Sequence, residues 1–150
     1  MMPAPLFSIA NLLAMAGWLL LAAFPRRRWA ERTSQWLVPG LLAALYMAIV
    51  AASWGKSPGG FSSLAAVAQL FENPWMLLAG WVHYLAFDLL IGNWIARDAR
   101  ERGIAHGWVL PLLLLTFMFG PAGWLSYLGV RAVFARVSAA RRALAVPHST

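Results

Sequence analysis

Apolar residues fill this chain in long blocks separated by short polar punctuation, and the block lengths predict its architecture. Four blocks, at about residues 5–24, 36–54, 75–96 and 108–133, are long enough to cross a bilayer, which takes roughly 20 apolar residues in a helix. The first stops at Pro25 and Arg26-Arg27-Arg28, and residues 26–35 read as a short basic loop. Pro39 falls in the first turn of the second block, where its missing N–H does little harm. Between the second and third blocks, Gly55–Gly60 reads as a flexible turn. Phe61, Leu64, Ala65, Ala68 and Phe71 then recur at the spacing of one helix face. That segment is too short to span, so it is expected to lie in the membrane interface. Glu72-Asn73-Pro74 punctuates it and opens the third block, and residues 97–107 form a charged loop. The expected fold is an all-α membrane protein, one domain over 1–150: a bundle of about four transmembrane helices with a short interfacial helix between the second and third.

Composition agrees. The 150 residues are 61% hydrophobic and 11% charged, with a mean hydropathy of +0.66. A soluble domain carries roughly 25% charged residues, so the chain needs a solvent other than water. Nine Trp suit anchoring at the headgroup layer. The net charge of +7 comes mostly from arginines that flank the apolar blocks, which points to topology and anionic lipid contact and away from nucleic acid. No cysteine is present, which excludes thiolate metal sites, thiol catalysis and disulfides. No cleavable leader is evident, the first helix is expected to point its N-terminus away from the cytoplasm, and a bacterial inner membrane is the simplest location.

Charge placement leaves one conflict. Loops 26–35 and 97–107 agree on the cytoplasmic side, with Lys56 alone in the segment between the second and third blocks. A fourth full span would then carry Arg131, Arg136, Arg141 and Arg142 to the opposite side, against the positive-inside rule. Two solutions exist at Gly120-Pro121: a kinked full span, which is the expectation favoured here, or a chain that turns back. Pro121 obstructs the carbonyl four residues before it, that of Phe117, while Gly120 and Gly123 admit a second backbone or a ligand.

The chemistry concentrates in the third block, Gly80-Trp81-Val82-His83-Tyr84-Leu85-Ala86-Phe87-Asp88-Leu89-Leu90-Ile91-Gly92-Asn93-Trp94. A charged carboxylate at mid-bilayer costs on the order of 3 kcal/mol or more, so Asp88 is a functional candidate by default. On an ideal helix His83 and Asp88 lie about 140° apart around the axis and about 7.5 Å apart along it. They can face one cavity without touching, with Tyr84 beside Asp88. The functional reading is an acid/base pair, Asp88 as acid and His83 as base. The structural alternative is that Asp88 hydrogen-bonds Asn11, Tyr46 or Tyr127 across helices and fixes the bundle. Asn93 points to another neighbour. A bis-His haem is not expected, since His83 is the one histidine at membrane centre; His106 and His148 read as exposed, and no metal site is assigned. Asp98, with Arg97, Arg100, Glu101 and Arg102, reads as a solvated charge cluster or a polar gate. Trp81, Tyr84, Phe87, Trp94, Thr116, Gly120 and Trp124 are candidate ligand-lining residues, suited to a long flat apolar molecule or to lipid packing.

These residues carry a resemblance to the ABA4-like family of small membrane proteins. The similar positions are Gly80 to Leu89 with Gly92, Trp94 and Asp98, the Asn73-Pro74 lead, then Leu110-Pro111, Leu115-Thr116, Gly120-Pro121, Tyr127-Leu128 and Arg131. Ala122 and Trp124 depart mildly from it. The family's plant members are required to form neoxanthin from violaxanthin, an epoxide-to-allene isomerisation without a redox cofactor. The resemblance therefore implies a carotenoid or similar isoprenoid ligand in the lipid bilayer, no cofactor, Asp88 as the acid at the epoxide oxygen and His83 as the base. The competing class is a non-enzymatic carotenoid or lipid binder, or an assembly factor. A transporter would require so short a chain to form a homo-oligomer.

Overall fold

A computed structural model describes residues 3–53 and 55–144, with side chains as far as residue 140. Trp54, His148 and the side chains of Arg141 and Arg142 lie outside the described residues. The described residues are helical without strands, in the order α1 (Ala4–Ala23), α2 (Arg28–Ser53), α3 (Leu64–Phe71), α4 (Pro74–Glu101), α5 (His106–Phe119) and α6 (Pro121–Leu144). Helices α1, α2 and α4 are long and apolar enough to cross a membrane. The protein is an all-α membrane protein. It packs as two compact units, residues 1–93 and 94–150, with the division falling inside α4.

In the first unit α1 presents a small-residue face, Ala10, Ala14 and Gly17, with Trp18 and Leu21 also buried. Small residues let membrane helices approach closely, so that dispersion contacts replace the absent hydrophobic drive. The contact with α4 is reciprocal. A methyl group on Gly17 would meet Leu89 at 2.6 Å and Val38 at 3.1 Å, and one on Gly92 would meet Trp18 at 2.5 Å. Leu89 thus fills the space over Gly17, and Trp18 fills the space over Gly92.

Helix α2 starts well before the expected boundary. Most of the segment read as a basic loop is helical from Arg28, with a π-helical turn over Thr33–Leu37. The turn lies just ahead of Pro39, whose ring would collide with the carbonyl of Gln35 in a regular helix, and a widened turn relieves that collision. It also carries Ser34 to a fully buried position opposite Asn93 of α4. The Asn93 amide donates to the Ser34 carbonyl at 3.1 Å and to the Leu89 carbonyl at 2.8 Å, and the Ser34 hydroxyl donates to Asn93 Oδ1 at 3.2 Å. Asn93 does point to another neighbour, and that neighbour stands in the supposed loop.

Helix α3 is shorter than the apolar spacing suggested. Ser63 caps it by accepting from the Ala66 N–H at 3.1 Å, and Phe61 and Leu64 stand exposed, as an interfacial element requires. Asn73 caps α4 by accepting from the Trp75 N–H at 2.9 Å, with Pro74 in the first turn. Helix α4 runs past Ala96 to Glu101, through residues read as loop. At about 42 Å it exceeds the hydrocarbon thickness, so its charged end can stand in the headgroups. It stops at Gly103, whose φ of +72° favours glycine, where Ile104 N donates to the Ala99 carbonyl at 2.9 Å.

The fourth block does not form a kinked span. Helix α5 has 14 residues, about 21 Å, which is too short to cross. Gly120, at φ +26° and ψ −88°, reverses the chain into α6. In one continuous helix residues 116 and 123 would stand about 10 Å apart along the axis. Instead a methyl group on Gly123 would lie 2.3 Å from the Thr116 nitrogen and 2.5 Å from its Cα. Pro121 accordingly opens a new helix, where its missing donor is harmless. The turn satisfies its own polar groups: Gly120 N donates to the Thr116 carbonyl at 2.7 Å, and the Thr116 hydroxyl donates to the Leu112 carbonyl at 2.8 Å. Non-helical backbone at membrane depth is tolerated only on such terms.

The hairpin returns α6 to the charged end of α4, which removes the charge conflict at Arg131 and Arg136. Two measurements test it. Single cysteines introduced at Glu101 and Arg136 in this cysteine-free chain are expected to react with a membrane-impermeant maleimide from one side, whereas a kinked span labels them from opposite sides. Gly123→Val is expected to lower the unfolding free energy in detergent by about 1–3 kcal/mol, the usual cost of overpacking, read by thermal or denaturant unfolding.

Candidate functional site

Helix α4 of the first unit carries two chemically different flanks. Trp81, Tyr84 and Asp88 follow one another at three- and four-residue steps and so share one of them. The Trp81 indole donates to Asn11 Oδ1 at 3.2 Å, and Asn11 in turn donates to the Phe7 carbonyl at 2.7 Å. Trp81 also packs against Phe7 and Tyr84, with ring centroids 5.7 and 5.5 Å apart. The Tyr84 hydroxyl hydrogen-bonds the Asp88 carboxyl. The second carboxyl oxygen, Asp88 Oδ2, is buried and has no hydrogen-bond partner among the described residues. A buried polar atom left without a partner costs about 1–3 kcal/mol, so this oxygen is free to accept from a ligand donor or, when protonated, to donate to a ligand oxygen. One or two helical turns towards the start of α4, the same flank opens into an apolar groove of about 390 Å³ lined by Pro3, Phe7, Pro74, Leu77 and Trp81.

His83 occupies the opposite flank. Its ring stacks on Phe87 with centroids 4.5 Å apart and sits 5.5 Å from the ring of Tyr46 on α2. Both His83 and Phe87 are exposed along the side of the helix. Asp88 and His83, about 7.5 Å apart along the axis, are thus held by different neighbours: a tyrosine hydroxyl for one, two aromatic faces for the other. None of the cross-helix partners expected for Asp88 is used. Asn11 is engaged with Trp81, Tyr46 with His83, and Tyr127 with Asp98.

In the second unit Asp98 is the centre of an ion-pair node. Its Oδ2 accepts from Arg102 Nε at 2.7 Å, lies 3.4 Å from Arg131 Nε, and accepts a short hydrogen bond from the Tyr127 hydroxyl. Trp94 meets the fully buried Tyr127 ring edge-on at 5.6 Å, and the Arg131 guanidinium lies 5.9 Å above the Trp94 ring. Asp98 lies in the last turn of α4 and Arg102 just past its end, and Tyr127 and Arg131 are one turn apart on α6, so the two pairs interlock where the hairpin returns. Sequence reasoning named Tyr127 as a possible partner for Asp88 and as a position of the family resemblance, and did not pair it with Asp98. The available signal was the matching four-residue spacing, which becomes meaningful once the chain is known to reverse at Gly120. Of the other candidate lining residues, Thr116 and Gly120 are buried within the hairpin turn, and Trp124 is exposed on α6.

The family model described as ABA DEFICIENT 4-like matches residues 5–127. The chain belongs to the ABA4-like family. The matched region begins in α1 and ends at Tyr127, so it takes in the Trp81–Tyr84–Asp88 flank, His83, the hairpin turn and the aspartate–tyrosine node. Comparison with the curated proteins and with the solved structures returns no match.

The node is testable as a unit. Asp98→Asn and Tyr127→Phe are each expected to destabilise the protein. A double-mutant cycle read by denaturant unfolding in detergent is expected to give a coupling of about 1–3 kcal/mol, as for a hydrogen bond to a charged group. Additive single effects would mean that the two side chains act independently.

Proposed function

We propose that this ABA4-like membrane protein binds an isoprenoid of the carotenoid class along α4 and acts on it by proton transfer, in a bacterial cytoplasmic membrane. The observation that carries the reading is the unpartnered Asp88 Oδ2, with Tyr84 on the same carboxyl and Trp81 and the apolar groove on the same flank. A molecule with a long apolar body and one oxygen-bearing end group matches that sequence of surfaces. The body lies against Phe7, Leu77 and Trp81, and the oxygen meets the carboxyl.

The reaction that fits is an isomerisation. Asp88, protonated, gives its proton to the oxygen of an epoxide as a C–O bond opens, and a base removes a proton from a neighbouring carbon. Atoms and oxidation level are conserved overall, so no redox partner is required. His83, about 7.5 Å nearer the start of α4, is the base, and the ligand would have to cross α4 from one flank to the other to meet both groups. The separation of those flanks is the observation that favours the second reading, a carotenoid or lipid binder without catalysis.

The test is expression in a carotenoid-producing bacterium, purification in detergent, and analysis of bound pigment by absorption and extraction. A stoichiometric, vibronically structured visible band is expected, lost or reduced at least tenfold in Asp88→Asn. Retention of pigment with unchanged composition in both Asp88→Asn and His83→Ala would leave a binder and end the isomerase reading. A colourless protein would remove the pigment reading, and a sharp Soret band would assign His83 to haem.

A further inference from the structure

The first unit holds a second apolar groove, of about 440 Å³, on a different side of α1 from the one that leads to Trp81. Leu6, Leu45, Ala48, Ile49 and Trp75 wall it, and Ser53, Lys56 and Asn73 stand at the end where α2 stops and α4 begins. Its volume falls within the roughly 300–1,000 Å³ of small-ligand clefts. The polar end differs from the walls in a specific way. Lys56 is the only lysine in the chain, and no other Lys or Arg occurs between Arg32 and Arg97. The other cations of this unit, Arg26, Arg27, Arg28 and Arg32, lie just before or in the first turns of α2, at its other end from Lys56. Lys56 Nζ donates to the Ala52 carbonyl at 2.7 Å, which fixes the ammonium over the last turn of α2. An ammonium has three donors, so two remain. The Asn73 amide gives one N–H to Ser57 and its oxygen accepts from the Trp75 N–H, so it leaves a single neutral N–H beside the charge of Lys56.

We infer that this groove holds one anionic phospholipid of the surrounding leaflet, an acyl chain along Leu45, Ala48 and Ile49 and the headgroup phosphate on Lys56. The apolar length and the single positive charge sit in the order that such a lipid presents them, chain inward and phosphate at the headgroup layer. A zwitterionic lipid would fill the same walls, but its own ammonium would compete with Lys56 for the phosphate. The site is separate from the Asp88 flank, so it stands whatever ligand that flank takes.

The experiment is native mass spectrometry of the whole chain released from a neutral detergent, with phosphatidylglycerol or phosphatidylcholine added at equal concentration. One phosphatidylglycerol adduct is expected, favoured about tenfold over phosphatidylcholine. Lys56→Gln keeps a donor for the Ala52 carbonyl but removes the charge, and is expected to erase the preference. Lys56→Arg keeps it, and Ala48→Phe, which fills the groove, is expected to lose the adduct with both lipids. Circular dichroism and thermal unfolding check that each variant folds. Equal binding of the two lipids, or a preference that survives Lys56→Gln in folded protein, would overturn the assignment and move the lipid to the arginine-rich end.

Discussion

Hydrocarbon offers no water to a stray donor or acceptor, and this constraint governs the molecule at each place where its helices depart from regularity. The π turn before Pro39 is one such place. It turns Ser34 inward, and the buried hydroxyl and carbonyl are met by Asn93, whose amide also takes the Leu89 carbonyl. The reversal at Gly120 is another, closed by the Thr116 carbonyl and by a Thr116 hydroxyl that bonds within its own helix. At both, a backbone irregularity is matched with side chains that complete its hydrogen bonding. Asp88 Oδ2 is the exception, a buried acceptor with no such completion among the described residues. Among the described residues no other buried side-chain oxygen or nitrogen lacks a partner, and the proposed ligand site rests on that exception.

The hairpin of α5 and α6 has consequences beyond its own packing. By reversing within about 21 Å it brings four side chains to one node, Asp98 of α4 and Arg102 just beyond its end with Tyr127 and Arg131 from α6. One carboxylate shared by two guanidinium groups and a phenol is more than a surface ion pair, which alone contributes little. Tyr127 is fully buried, and Trp94 covers its ring. The node thus ties the end of the long helix to the returning one, and the arginines of α6 need no exception to the charge rule.

Helix α4 divides its chemistry between flanks instead of pooling it. Tyr84, Asp88 and Trp81 share one side with an apolar groove, and His83 and Phe87 share the other with Tyr46. A ligand held on the first side would meet an acid, an indole and a phenol, and the imidazole only by crossing the helix. The geometry makes Asp88 the centre of the candidate site. His83 becomes a residue whose role depends on how far the ligand reaches.

The sequence by itself determined the solvent, the helical class, the interfacial segment before Asn73-Pro74, and Asp88 as the polar residue out of place. It did so because bilayer thickness and the cost of a buried charge act on every residue singly. It also carried the family resemblance that the match over 5–127 makes firm. It misplaced the start of α2 and the end of α4, because arginine, glutamate and aspartate read as loop by polarity although they extend helices readily when a terminus can reach the headgroups. Above all it left open whether Gly120-Pro121 kinks or reverses the chain. Both outcomes place a glycine and a proline at that position, and only the packing of Gly123 on Thr116 and of Tyr127 on Asp98 separates them. Those contacts join residues distant in sequence and belong to the tertiary structure alone.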